Sequence, residues 1–181
     1  LRSELDLELA RIDELVMDIN AVVPTNSSYQ NVKLRADLAG LLVVAIAAAY
    51  ENCVEEILYS RAGSHHSAFE AYARRQYAKI NSRINVSDLA RYCEVYDPDL
   101  KKKFKIKLSN RKAALLERTG VNIEVMYEQL LNWRHDFAHA GLRNMTLEEA
   151  TKAHMYRKRL PYAFDETPKS KEGHKATSKQ K

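Results

Sequence analysis

The chain has 181 residues, 45% of them apolar, enough for one domain with a sizeable core and a tail. Its net charge of +5 is uneven: residues 1–60 balance to −6, residues 61–120 to +8 and the remainder to +3, so the middle suits a polyanion such as RNA. Cys53 and Cys93 lie too far apart for a CxxC pair or zinc spacing, and the most apolar run, Leu38 to Tyr50, falls short of the about 20 residues that cross a bilayer.

Five glycines and four prolines are few for this length, and the apolar residues recur at steps of three and four, so the expected class is all-α. Leu5, Leu9, Ile12, Leu15, Val16 and Ile19 mark an amphipathic helix over roughly 3–22, broken by Pro24 to Ser28. The acidic start has no apolar region of the secretory kind, so the expected location is cytoplasmic, without a membrane. A second helix over about 32–60 is apolar nearly all round in its middle, as a central bundle member is, and stops near Gly63.

A third helix is expected over about 67–80, and a short fourth around 89–92 with Ser87 as its N-cap. Asp97-Pro98 then pairs a cap residue with proline at the first helical position, launching a basic helix that ends near Thr119-Gly120. It carries Lys101, Lys102, Lys103, Lys105, Lys107, Arg111 and Lys112, a candidate RNA-binding segment or simply a solvated face.

Ile123 to Trp133 mark the next helix, halted by Gly141; Thr146 and Glu149 have capping-box spacing and open a last helix through about Arg159, before Pro161. The bundle is assigned residues 1–162. Residues 163–181, mostly Lys, Ser, Thr and Gly toward the end, are expected to be a disordered basic tail.

The stretch from Trp133 to Gly141 carries the chemistry. Arg134 can brace a phosphate with a planar fork of donors, and His135 and His139 can exchange protons near neutral pH. In a regular helix Arg134 and His139 diverge by about 140°, so Gly141 is expected to let the last turn unwind and bring them together. With 14 Arg and 6 His in the chain, about one Arg-to-His match at such spacing arises by chance, and Arg61 to His66 is a second one. Context separates them: Trp133 and Phe137 can anchor the later match in the core, whereas Gly63-Ser64 marks a loop in the earlier one. His65, His66 and Cys53 have no metal-ligand spacing, and neither metal nor cofactor is expected.

The motif Arg134, His135-Asp136-Phe137-Ala138, His139 resembles the signature of HEPN-domain ribonucleases, in particular the RiboL-PSP-like branch, with His135 in place of that branch's usual asparagine and Ala140 before Gly141. The resemblance implies an antiparallel helical bundle of HEPN type with extra short helices. It implies a homodimer whose two motifs form a composite site, and RNA cleavage by 2′-hydroxyl transesterification without a metal. Arg134 and His139, with His135, would then be catalytic, and Glu51 supporting; Asp136 is a second supporting candidate on chemical grounds, since a carboxylate there can orient His135 or His139 by accepting a ring proton. A prokaryotic defence or toxin-antitoxin setting, with an antitoxin or defence-system partner, follows from the same likeness. The competing reading is a non-catalytic HEPN-like module that holds RNA or a protein.

Overall fold

Helix α1 (Arg2–Val22) lays Leu5, Leu9, Ile12 and Ile19, all buried, against the long helix α2 (Tyr29–Gly63). The computed structural model describes residues 2–25, 29–78, 80 and 83–167, and among them eight helices and no strand. Seen along its length, α2 buries Leu42, Val43, Ile46, Tyr50, Val54, Ile57 and Leu58, and it touches α1 and four of the later helices. It is not covered all round, however: Leu34 and Leu41, seven residues apart, remain 46% and 55% exposed. No helix among the described residues is long and apolar enough to cross a membrane.

Helix α3 (Ser67–Gln76) starts at His66, whose Nδ1 accepts the Ala68 N–H at 3.0 Å, and ends before Ile80, which is buried outside the helix. Helix α4 (Val86–Tyr96) is longer than its sequence pattern suggests. Its N-cap is Asn85, not Ser87: Asn85 has the extended backbone of a cap and accepts the Asp88 N–H at 2.8 Å, while Ser87 Oγ donates to Asn85 Oδ1 at 2.6 Å. Helix α5 (Pro98–Thr119) begins and ends as expected, with Asp97 as cap and Gly120 left-handed at φ 68°.

Helix α6 (Ile123–Ala140) packs on α2 through Tyr127, Leu130 and Trp133, with the Tyr50 and Tyr127 rings stacked 6.0 Å apart. The two helices approach closely at Gly40, where an added Cβ would sit 2.1 Å from the Phe137 ring. Helix α7 (Leu147–Arg157) has the complete Thr146/Glu149 capping box. Arg35 of α2 donates to Glu148 and to the Val23 carbonyl, tying the start of α7 to the end of α1.

The bundle continues past residue 162. Helix α8 (Arg159–Asp165) contains Pro161 in its first turn, where a missing N–H costs nothing, and buries Leu160, Ala163 and Phe164. Phe164 meets Phe104 edge-on at 5.8 Å, and Thr167 is also buried. Of the expected tail, residues 163–167 therefore belong to the core, and residues 168–181 lie outside the described residues. Tyr162 Oη donates to Asp6 Oδ1 at 2.6 Å and Arg2 pairs with Glu166 at 3.1 Å, which closes α8 onto α1.

Two buried polar groups stand out. Arg157 is 0% exposed, has no hydrogen-bond partner among the described residues for any of its three nitrogens, and lies 5.7 Å from the Trp133 ring; burial lowers its pKa, though a guanidinium remains a cation at neutral pH. His154 is 1% exposed, with Nδ1 3.1 Å from Tyr50 Oη and Nε2 3.4 Å from Asp13 Oδ1. Its burial pushes the imidazole pKa down to about 4, against the opposing pull of Asp13.

Candidate active site

Helix α6 stays regular through Ala140. Gly141 takes φ 63° and its N–H bonds the Phe137 carbonyl at 3.0 Å, an αL cap that ends the helix without unwinding it. The expected rotation of His139 toward Arg134 therefore does not occur, because one left-handed glycine after the last turn satisfies the helix end at less cost than breaking that turn. Arg134 and His139 remain on different sides of one helix.

His135 joins the two groups instead. Its ring lies 4.5 Å from that of His139, tilted by 49°. It also shares with Arg134 a cleft of about 490 Å³, lined in addition by Asn85, Ser87, Glu128, Leu131 and Asn132. Helical geometry explains the arrangement: Glu128, Leu131, Asn132, His135 and His139 fall within about 100° of one another, with Arg134 to one side and Phe137 turned back toward Gly40 of α2. Trp133, 8% exposed, anchors the same inner side.

The far wall of the cleft is held from α6 itself. Tyr127 Oη donates to the Ile84 carbonyl at 2.8 Å, both residues being fully buried, and so fixes the chain entering α4 opposite the motif. Tyr92 Oη likewise donates to the Arg83 carbonyl at 2.9 Å. Burial raises the Tyr127 pKa far above its ordinary value, so that anchor keeps its proton.

The half-buried Arg134 guanidinium has no hydrogen-bond or ion-pair partner among the described residues, and neither imidazole has a hydrogen bond there. An unpaired guanidinium at the mouth of a cleft, with two imidazoles beside it, suits a phosphodiester: donors for its nonbridging oxygens and groups that can move its protons.

Asp136 faces elsewhere, accepting Asn144 Nδ2 at 2.9 Å, and so clasps the loop after α6. Glu51 is half-buried on α2 with Oε1 lacking a hydrogen-bond partner among the described residues, and it does not line the cleft. The rival match is structural: Arg61 is 6% exposed and donates to the Phe164 carbonyl at 3.1 Å, while His66 caps α3.

The cations of α5 do not share one face. Lys107 and Arg111 pair with Glu166 at 3.1 and 2.7 Å, and Arg111 also donates to the Arg159 carbonyl at 2.7 Å, so both hold α8 in place. Lys112 pairs with Glu124 at 2.5 Å. Lys101, paired with Glu94 at 2.6 Å, and Lys105 line a second cleft, whereas Lys102 and Lys103 are exposed without a partner among the described residues. From sequence Ser87 reads only as a cap, and Asn85, Glu128 and Asn132 have no assigned role; Glu128 and Asn132, on the same stripe as the two histidines, are the ones with a local signal.

The model of the family described as RiboL-PSP-HEPN matches residues 8–167, which ends where the described bundle ends. No curated protein and no solved structure matches the chain.

Proposed function

The chain belongs to the RiboL-PSP-HEPN family, and from that premise we propose that it is a metal-independent endoribonuclease. The observation that carries the reading is the unpaired Arg134 guanidinium in one cleft with His135, whose ring meets that of His139. One imidazole takes the proton of a ribose 2′-hydroxyl, and that oxygen attacks the adjacent phosphorus. The 5′-oxygen leaves and receives a proton, while Arg134 neutralises the charge building on the phosphoryl oxygens. The products are a 2′,3′-cyclic phosphate and a 5′-hydroxyl.

Attack and departure are in line, on opposite faces of phosphorus. Two rings 4.5 Å apart sit on one face, so a second copy of the chain supplies the opposing donor in a composite homodimeric site. The face next to the motif suits such pairing. Leu34 and Leu41 flank Asp37 on α2, Arg143 reaches Asp37, and the adjoining Leu142 is 52% exposed. A role in a prokaryotic defence or toxin-antitoxin system, with a neutralising partner, belongs to the same reading.

The test is incubation of the purified protein with RNA in EDTA, with products analysed for cyclic phosphate ends. Wild type should cleave, and Arg134→Ala and His139→Ala should each lose about 10²- to 10⁴-fold. Equal background for all three sinks the proposal. A second reading, a module that binds RNA or a protein without cutting, is favoured by the regular helix, which leaves Arg134 and His139 about 140° apart within one copy. It predicts salt-sensitive RNA retention in filter binding that survives His139→Ala.

A further inference from the structure

The cleft at Arg134 and His135 is not closed at its other end. A neighbouring cleft of about 460 Å³ is lined by Val86, Ser87, Ala90, Arg91, Lys101, Lys105, Glu124 and Glu128, and the two share Ser87 and Glu128. Together they make one groove running along α6 from His135 back to Glu124, about 16 Å of helix, walled by α4 and, at the far end, by α5. We propose that this groove is the track for a single-stranded RNA segment of a few nucleotides leading into the cleavage site, with Arg91, Lys101 and Lys105 on its phosphates. The inference rests on the nuclease reading for its direction and on the groove for its course.

Three observations support that occupant. The cations lie at the end away from the motif and Arg134 at the near end, so positive groups bracket the groove as a backbone passing through would require. Lys101 pairs with the half-exposed Glu94, a contact that phosphate oxygens can replace; Arg91, itself mostly exposed, pairs with the buried Asp88 and lies over the Tyr92 ring, yet its outer side stays open to a phosphate; Lys105 has no partner among the described residues. The middle is different: Ser87, Asn132 and the exposed Glu128 offer hydrogen-bonding groups and a carboxylate that repels phosphate. There the strand must turn a base or a ribose inward, and Glu128 can accept from an exocyclic amine or a 2′-hydroxyl. A narrow groove between helices suits an unpaired strand, whose base edges are free, and not an A-form duplex.

The experiment uses a short 2′-O-methyl oligoribonucleotide, which cannot be cleaved by this chemistry, and fluorescence anisotropy across a salt series. Arg91→Glu with Lys105→Glu should weaken binding about 10- to 30-fold near 0.1 M salt and flatten the slope of log K against log salt by about 1.4, two phosphates at about 0.7 each. The charge-matched pair Arg75→Glu with Arg118→Glu, outside the groove, should change affinity less than about twofold. Glu128→Gln should alter the preference among homopolymers. Equal losses for both charge-reversed pairs, or a duplex that senses the groove pair as strongly as the single strand, overturns the track. The parent RNA then separates the two readings: cleavage that ignores the groove pair discards the track and leaves the nuclease. Groove-dependent binding by a protein that never cleaves discards the nuclease and leaves the track.

Discussion

The rings of His135 and His139 meet at 4.5 Å with a tilt of 49°, so two groups able to carry a proton lie one helical turn apart on the solvent side of α6. If both carry protons in the reaction, shape alone cannot replace either. His135→Phe keeps a flat ring against His139 yet holds no proton, and it should reduce kcat about 10²- to 10⁴-fold, as His139→Ala does. Near wild-type turnover for His135→Phe would assign His135 to packing.

The contact of Phe137 with Gly40 sets the position of α6. Gly40→Ala gains about 1 kcal/mol of helix propensity but places a Cβ 2.1 Å from the ring, so the ring or the whole helix must shift. A net destabilisation of about 1 to 3 kcal/mol is expected in urea unfolding, together with loss of cleavage. Adding Phe137→Ala should show positive coupling in a double-mutant cycle; simple additivity would place the clash elsewhere.

Gly120 and Gly141 form a matched pair, at φ 68° and 63°, with open space around an added Cβ in both. Alanine at either should cost about 1 to 2 kcal/mol from backbone strain alone. Only Gly141→Ala disturbs the turn that carries His139, so cleavage should fall for Gly141→Ala and not for Gly120→Ala when both are assayed well below their melting temperatures.

His154 makes stability depend on pH. Its folded pKa of about 4 lies below the ordinary 6.5, so below pH 6.5 the unfolded chain takes up a proton that the folded chain refuses. Stability is full above about pH 6.5 and declines as pH falls toward 4, by about 2 kcal/mol at pH 5. Denaturant titrations from pH 7 to 5 should show that slope, and His154→Gln should flatten it.

Arg157 carries a cation into the interior with no carboxylate partner among the described residues. Arg157→Met, similar in volume and apolar, should raise the unfolding free energy by about 1 to 4 kcal/mol. A loss of stability would mean that internal water satisfies the guanidinium.

Sequence alone disclosed the features that are local in the chain. The Asp97-Pro98 start, the Thr146/Glu149 box and the glycine stops at 120 and 141 each rest on a few adjacent residues, and each stands where its chemistry places it. Asn85 and Ser87 compete for one cap, and the Tyr127 hydroxyl that holds the Ile84 carbonyl next to Asn85 comes from a distant helix. Pro161 looked like a terminus because nothing nearby shows that Leu160 and Phe164 have a core to enter. The lysines of α5 looked like one patch because charge composition carries no azimuth: Glu166, 55 residues beyond Arg111, takes two cations out of the set. Likeness points to Glu51 and acid-base chemistry to Asp136, but Asp136 answers to Asn144, outside the motif, and Glu51 Oε1 has no hydrogen-bond partner among the described residues.

Helix α2 is made early and covered late. Its contacts with α6, α7 and α8 form only after those helices emerge, so on the ribosome the side of α2 that carries Tyr50 stays wet until then. The motif helix docks chiefly on α2, with further contacts to α5 and α7, and α7 and α8 must follow before that surface is sealed. A nascent chain therefore holds Arg134, His135 and His139 without the scaffold that aims them until α7 and α8 have followed.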